Sequence, residues 1–162
     1  MARVPKRDTA PELAVRRAAH ALRYFVDGPP LRGVRRRADL VFPRLRIAVF
    51  VDGCFWHGCP CHGNRPRHNG DWWREKIERN RRRDQDTDRR LAETGWTVVR
   101  AWEHDDPAAV AATIAAEVIR ARSAPSRLSS RLSARLSVVS VVAFVSNGCY
   151  RESPARQNSV RT

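Results

Sequence analysis

No stretch of this chain is apolar for long enough to cross a bilayer. The longest apolar-rich run, Leu136 to Val145, reaches only about half the length that a membrane-spanning helix needs. Met1 to Thr9 carry basic side chains but no apolar run, so no signal peptide is expected. Acidic residues are scarce, 17 against 31 basic ones, for a formal charge of +14 and a pI near 11.3. Such a chain suits a polyanionic partner, and nucleic acid comes first. Cysteine is sparse as well. Cys54, Cys59 and Cys61 lie too close together to close long loops and Cys149 is remote, which argues against a disulfide framework and for metal chemistry in a reducing compartment. The expected location is the cytoplasm, away from membranes.

What is present suits one domain with a tail: 162 residues, 42% of them hydrophobic. Its centre is the stretch from Val49 to His62. It begins as a buried strand and leaves through Gly53. From Asp52 to His62 it then delivers three of the four cysteines, two of the five histidines and the adjacent pair Phe55 and Trp56.

Around that segment the pattern predicts an α/β domain. Residues 1–8 read as a basic flexible arm. Thr9-Ala10-Pro11-Glu12 has the form of a capping box, and a helix should follow to about Arg23. Tyr24 to Val26 starts a short strand that Asp27-Gly28-Pro29-Pro30 breaks. Ala38 to Phe42 and Arg46 to Val51 read as apolar strands joined at Pro43-Arg44. A basic loop, residues 63–70, contains Arg65, Arg67 and His68. A long helix from about Asp71, its expected cap, to Glu93 carries Trp73, Ile77, Asn80, Asp84, Thr87 and Leu91 on one stripe. The polar middle of that stripe marks a lined site or a satisfied network. Its arginines fit either phosphate contacts or local pairs with Glu75, Glu78, Asp86 and Asp88. Trp96 to Trp102 is a further strand, and a helix runs from Pro107 to about Arg122. Residues 123–162 form a serine- and arginine-rich tail, expected to be disordered or weakly structured. Within it Val138 to Val145 suits an added edge strand or an aggregation-prone segment. The order implies a mixed sheet flanked by helices.

Three kinds of chemistry meet near the centre. Structural zinc takes four cysteine or histidine ligands. Cys54, Cys59, Cys61 and His62 offer four, but adjacent Cys61 and His62 make a strained pair, so three of them plus the remote His104 fit better. Asp39 is a carboxylate among apolar neighbours that needs a cation or several hydrogen bonds; Arg37 or Arg46 would serve, and so would a catalytic Mg²⁺ with the backbone at Val51 or the carboxylate of Asp52. His57 suits a general base or, alternatively, a zinc ligand. Phe55 and Trp56 should lie on opposite sides of an irregular segment, with one ring or both free to wedge between bases.

The sequence resembles the very-short-patch-repair (Vsr) DNA mismatch endonucleases. Asp-Gly-Cys-Phe-Trp-His (52–57) and Arg-Arg-Ala-Asp (36–39) carry the likeness. So do Arg-Asp-Thr-Ala-Pro-Glu (7–12), Trp-Arg-Glu-Lys-Ile-Glu-Arg-Asn (73–80), Arg-Asp (83–84), Gly-Trp-Thr-Val (95–98) and Trp-Glu-His (102–104). The likeness runs in order from about residue 7 to 120, which places the endonuclease domain at 9–122. It implies a restriction-endonuclease-like fold with a structural Zn²⁺, and Mg²⁺-dependent nicking of one DNA strand at T·G mismatches from deaminated 5-methylcytosine. The implied catalytic residues are Asp39, His57 and Glu12, with Asp52 beside them where relatives can carry histidine. Asp39 and the Val51 carbonyl would hold Mg²⁺. Cys54, Cys59 and His104, with Cys61 or His62, would hold Zn²⁺. Phe55, Trp56 and Trp73 would intercalate, while Lys76, Asn80 and Asp84 line the DNA site. Ala38 stands where a proline often precedes the aspartate. The family implies a MutL-type mismatch-repair partner, and the chain is expected to act as a monomer. Two alternatives stay open: a related restriction or mobile-element endonuclease with another DNA target, and a non-catalytic zinc module that binds DNA.

Overall fold

The computed structural model describes residues 8–31, 36–62, 68–124 and 142–145. Most of the basic arm, Arg35, the loop residues Arg65 and Arg67, Cys149 and nearly all of the tail lie outside the described residues. Among the described residues no helix is long and apolar enough to cross a membrane.

The sheet is built around β3 (Ile47–Asp52), in which Ile47, Ala48, Val49 and Phe50 are all buried. An unbroken apolar run of this kind must be covered on both faces. β2 (Ala38–Phe42) pairs with it antiparallel, and β1 (Phe25–Gly28) pairs antiparallel with β2. On the other side β4 (Thr97–Trp102) runs parallel to β3, and β5 (Val142–Val145) runs parallel to β4. The strand order is β1-β2-β3-β4-β5. The β-prone piece of the tail therefore supplies a strand at the edge of the sheet.

Parallel neighbours need a crossover, usually a helix. The long helix (Gly70–Glu93) links β3 to β4, and a later one (Pro107–Ser123) links β4 towards β5. With the strand period of two, Val49 and Val99 join Val15, Val110, Ile114 and Val118 in one apolar cluster, under the first and last helices. Ala48, Phe50 and Val98 face the other way and pack with Leu91 of the long helix. The expected mixed sheet flanked by helices is what this chain forms, a layout consistent with a restriction-endonuclease-like fold.

The helix ends depart from expectation in instructive ways. The first helix, α1 (Ala10–Ala18), stops well before Arg23. The Tyr24 hydroxyl donates to the Arg16 carbonyl at 2.9 Å and folds the following segment back along the helix. Its capping box is used differently from the usual pattern: the Thr9 hydroxyl donates to Glu12 Oε1, and the Asp8 amide to Glu12 Oε2, each at 2.9 Å. Glu12 thus gathers the turn before the helix, while the Thr9 side chain caps no backbone amide. At the long helix, Asp71 pairs with Arg74 instead of capping, and Asn69 enters in a left-handed conformation at φ 55°. Asp106 does cap the last helix, accepting from the Ala108 and Ala109 amides.

Candidate functional site

β3 and β4 finish level with each other, Asp52 opposite Trp102, so the segments that leave them emerge side by side. Gly53 turns the chain out of β3, and Cys54–His57 form a single helical turn, α2, where an irregular segment was expected. Gly58 ends it at φ 63°. A Cβ there would stand 2.8 Å from Ile77 and from Arg81 of the long helix, now α3, so the position suits glycine twice over. The orphan carbonyls at the end of α2 are taken by α3 side chains. Asn80 donates to the Trp56 carbonyl at 2.9 Å, and Arg81 donates to those of His57, at 3.2 Å, and Gly58.

Asp39 has neither of the partners that would have made it purely structural. Arg37 pairs with Asp27, and Arg46 donates to the Thr94 carbonyl. The Val51 amide donates to Asp39 Oδ2 at 2.7 Å. Burial pushes its carboxyl up to about 7, against that hydrogen bond and with help from the nearby charges of Glu12 and Asp52. Glu12 reaches the same neighbourhood from α1, only 8% exposed and 3.4 Å from Arg16.

His57, on α2, meets Asp52 and Asp84. Its Nδ1 lies 2.5 Å from Asp84 Oδ2 and 3.5 Å from Asp52 Oδ1. Asp84 also binds Arg36. Burial would raise the Asp84 carboxyl, but the hydrogen bond and charge of His57, with Arg100 and Arg36, bring it below its ordinary value. Asp52 meets Arg100 Nη1 at 2.5 Å, and Arg100 reaches Asp88 through Nε and Nη2, both at 2.9 Å. Burial opposes the charge of Arg100, yet Asp52 and Asp88 hold the guanidinium firmly protonated. Asp88, although bonded to Arg100, is raised by burial and by the charges of Asp52 and Asp84.

Arg100 and Asp88 were not anticipated, and neither was Arg36 in this role. The available signal was an arginine in the middle of an otherwise apolar strand, where it must find acidic partners. Arg100 is 6% exposed and also lies over the Phe50 ring at 4.8 Å. Among the described residues, Glu12, Asp39, Asp52, Asp84 and Asp88 face Arg16, Arg36 and Arg100. Ligand atoms of Asp52, His57 and Asp84 lie within 4.8 Å of one another, a group able to hold a metal ion.

A second cluster sits on the other side of α2. The ligand atoms of Cys54, Cys59, His62 and His104 all lie within 4.8 Å of one another. Cys54 Sγ is 2.9 Å from His104 Nδ1, and Cys59 Sγ is 4.0 Å from the Nδ1 atoms of His62 and His104. Tetrahedral zinc with bonds of about 2.0–2.3 Å sets its ligand atoms about 3.5 Å apart, so the four are spaced for it. Burial, with the Cys59 thiol and Glu103 beside it, pushes the Cys54 thiol up to about 12, and a bound cation would reverse that. Of the two adjacent candidates the cluster takes His62. Cys61 is not among the four. His57 also lies outside this cluster and faces the carboxylates.

The aromatics gather in one group instead of splitting across the segment. Phe55 lies 5.1 Å from Trp56 and 5.0 Å from Trp73 between ring centroids, and Trp72 adds a fourth ring 4.7 Å from Trp73. Neighbouring side chains on one helical turn are about 100° apart, which lets both rings of α2 lean onto α3. Trp72 was not anticipated; it is 54% exposed. Lys76 Nζ stands over Trp56, Trp72 and Trp73 at 4.5–5.2 Å. On the outer face of α3, Arg74, Arg79, Arg82, Arg89 and Arg90 pair locally with Asp71, Glu75, Glu78 and Asp86.

A mixed sheet that gathers carboxylates and an imidazole at the end of a central strand is consistent with the restriction-endonuclease-like class. Comparison with known proteins narrows it. Residues 1–63 match the family model described as DNA mismatch endonuclease Vsr. The chain is 42% identical over 106 residues to the type II nicking enzyme V.XorIIP of Xanthomonas oryzae pv. oryzae, covering 64% of this chain and 76% of that protein. It is 43% identical over 102 residues to the type II nicking enzyme V.NaeI of Lentzea aerocolonigenes, covering 60% of this chain and 61% of the relative's length. With the DNA mismatch endonuclease Vsr of Escherichia coli (strain K12) it shares 37% identity over 106 residues, covering 64% and 66% of the two chains. The chain belongs to the Vsr endonuclease family.

Proposed function

We propose that this protein is a Mg²⁺-dependent, zinc-stabilised endonuclease that nicks one strand of duplex DNA at T·G mismatches left by deaminated 5-methylcytosine. The observation that carries the proposal is Asp52 at the end of β3, which lies 3.5 Å from His57 in its pair with Asp84 while its charge, like that of Glu12, acts on Asp39. Relatives named as mismatch and nicking enzymes support the substrate and the single-strand cut.

The residues present fit both metals. Mg²⁺ held by Asp39 and the backbone at Val51 would polarise the scissile phosphate and supply a hydrated oxygen nucleophile. His57 donates its Nδ1 proton to Asp84, which leaves Nε2 as the base that accepts the proton of the attacking water. Asp84 fixes the tautomer and steadies the imidazolium as it forms. Arg100 holds Asp52 in place beside that ring. Glu12 holds α1 against the site. Phe55, Trp56 and Trp73 enter the base stack at the mismatch, while Lys76 and Asn80 on α3 face the opened bases. Cys54, Cys59, His62 and His104 would hold Zn²⁺ and pin α2, which has little apolar core of its own. The domain at 9–122, action as a monomer and recruitment of a MutL-type repair protein complete the proposal.

Two tests follow. A T·G duplex in a panel of flanking sequences, with Mg²⁺ present or withheld, is expected to be cut on the T strand only when Mg²⁺ is present, while the fully paired duplexes stay intact. Cutting of paired, methylated or unmethylated DNA would point to the restriction or mobile-element reading. Binding without cutting at any sequence would point to a non-catalytic module. Metal analysis of purified variants tests the zinc set: Cys61→Ser is expected to keep one zinc per chain, and Cys59→Ser or His62→Ala to lose it. Zinc lost from Cys61→Ser and kept by His62→Ala would exchange the two ligands.

A further inference from the structure

Asp105 has no part in the chemistry so far. Its side chain is 1% exposed. One oxygen is accounted for, since Oδ2 accepts the Trp102 amide at 2.7 Å and closes the turn after β4. The other, Oδ1, is buried and has no hydrogen-bond partner among the described residues. A carboxylate oxygen stranded in this way is unfavourable unless something completes it. The group it faces is His104, whose Nε2 lies 3.7 Å away. The other nitrogen of that ring, Nδ1, points at the sulfurs of Cys54 and Cys59.

The tautomer follows from this arrangement. An imidazole that binds a metal through Nδ1 must carry its proton on Nε2, and that N–H needs an acceptor. We infer that Asp105 is a positioning residue for the metal cluster: its Oδ1 accepts the Nε2 proton of His104, fixing the ring so that Nδ1 presents its lone pair to zinc. The inference rests on the zinc reading proposed above but not on the choice between Cys61 and His62. It places a carboxylate behind a histidine ligand, an arrangement that raises the ligand's basicity and typically strengthens binding about ten- to a hundredfold. It also explains why a buried acid follows directly after His104, in a turn where Asp106 alone already caps the next helix.

The test is zinc affinity, measured by competition with a chromophoric chelator on the full chain without DNA. Asp105→Asn keeps an oxygen for the Trp102 amide but turns an N–H₂ towards His104, so the turn survives and the acceptor is lost. Zinc is expected to bind this variant about ten- to a hundredfold more weakly, and the Co²⁺-loaded chain to show shifted thiolate and d–d bands. In a His104→Ala background, adding Asp105→Asn should change affinity by less than about twofold, because the two residues act as one. Affinity of Asp105→Asn within about twofold of the native chain, or a full loss repeated in the His104→Ala background, would overturn the inference and leave the zinc reading standing. A native chain that binds no zinc would remove both.

Discussion

An Asp39→Asn chain is expected to bind a T·G duplex about as well as the native chain and to nick it at least about a thousand times more slowly. Asparagine keeps the shape and still offers an oxygen to the Val51 amide, so the strand pair is retained. What it loses is the negative charge that holds the cation. Stability should move the other way. Burial lifts the Asp39 carboxyl from 3.8 to about 7, so the fold prefers it neutral. Stability associated with the proton is complete below about pH 4 and is lost as pH rises through about 7. At about 1.4 kcal/mol per unit, the ionised form costs on the order of 4–5 kcal/mol at most. Without added Mg²⁺, melts across this window should therefore show the native chain losing stability that Asp39→Asn keeps. Mg²⁺ should restore the native chain above pH 7 and leave the variant unchanged. Equal pH dependence of the two chains without Mg²⁺ would show that Asp39 is not strained by its setting.

Replacing His57 with alanine should slow nicking by about a hundred- to ten-thousandfold at saturating Mg²⁺ and duplex. Zinc content should stay the same, because His57 faces the carboxylates and not the sulfurs. Free imidazole should recover part of the lost rate. Asp84→Asn should lose about a hundredfold with the imidazole still in place, since an amide no longer dictates which nitrogen carries the proton. It also unpairs Arg36 and removes a charge near Arg100, so some stability should fall with the rate. Loss of zinc from His57→Ala would make the imidazole a structural ligand instead.

How much of this was open to inspection in the sequence varies with the physics. β2 and β3 were legible because they are short apolar runs bounded by a proline turn and a glycine, and such runs have few alternatives. Asp39 and His57 stood out as a carboxylate within one such run and an imidazole just past another. The stripe on α3 was legible through its spacing, and Asp84, Thr87 and Leu91 are indeed buried. What stayed hidden depends on contacts between distant segments. Nothing local says that Arg100 on β4 will meet Asp52 and Asp88, 48 and 12 residues away. Sequence cannot say which of the neighbours Cys61 and His62 lies with Cys54, Cys59 and His104, because that turns on which side chain points inward. The early stop of α1 depends on a tyrosine beyond its end. Trp72 escaped because it falls beside the stripe that carries Trp73.

The account depends on Asp39 and His57 serving the same reacting phosphate. Single-turnover nicking by Asp39→Asn, His57→Ala and the double variant measures that directly. Groups that work as one unit lose most of their effect with the first removal, so the double variant should be no more than about tenfold slower than the slower single one. Losses that multiply in full, or a single variant that nicks at the native rate, would contradict it.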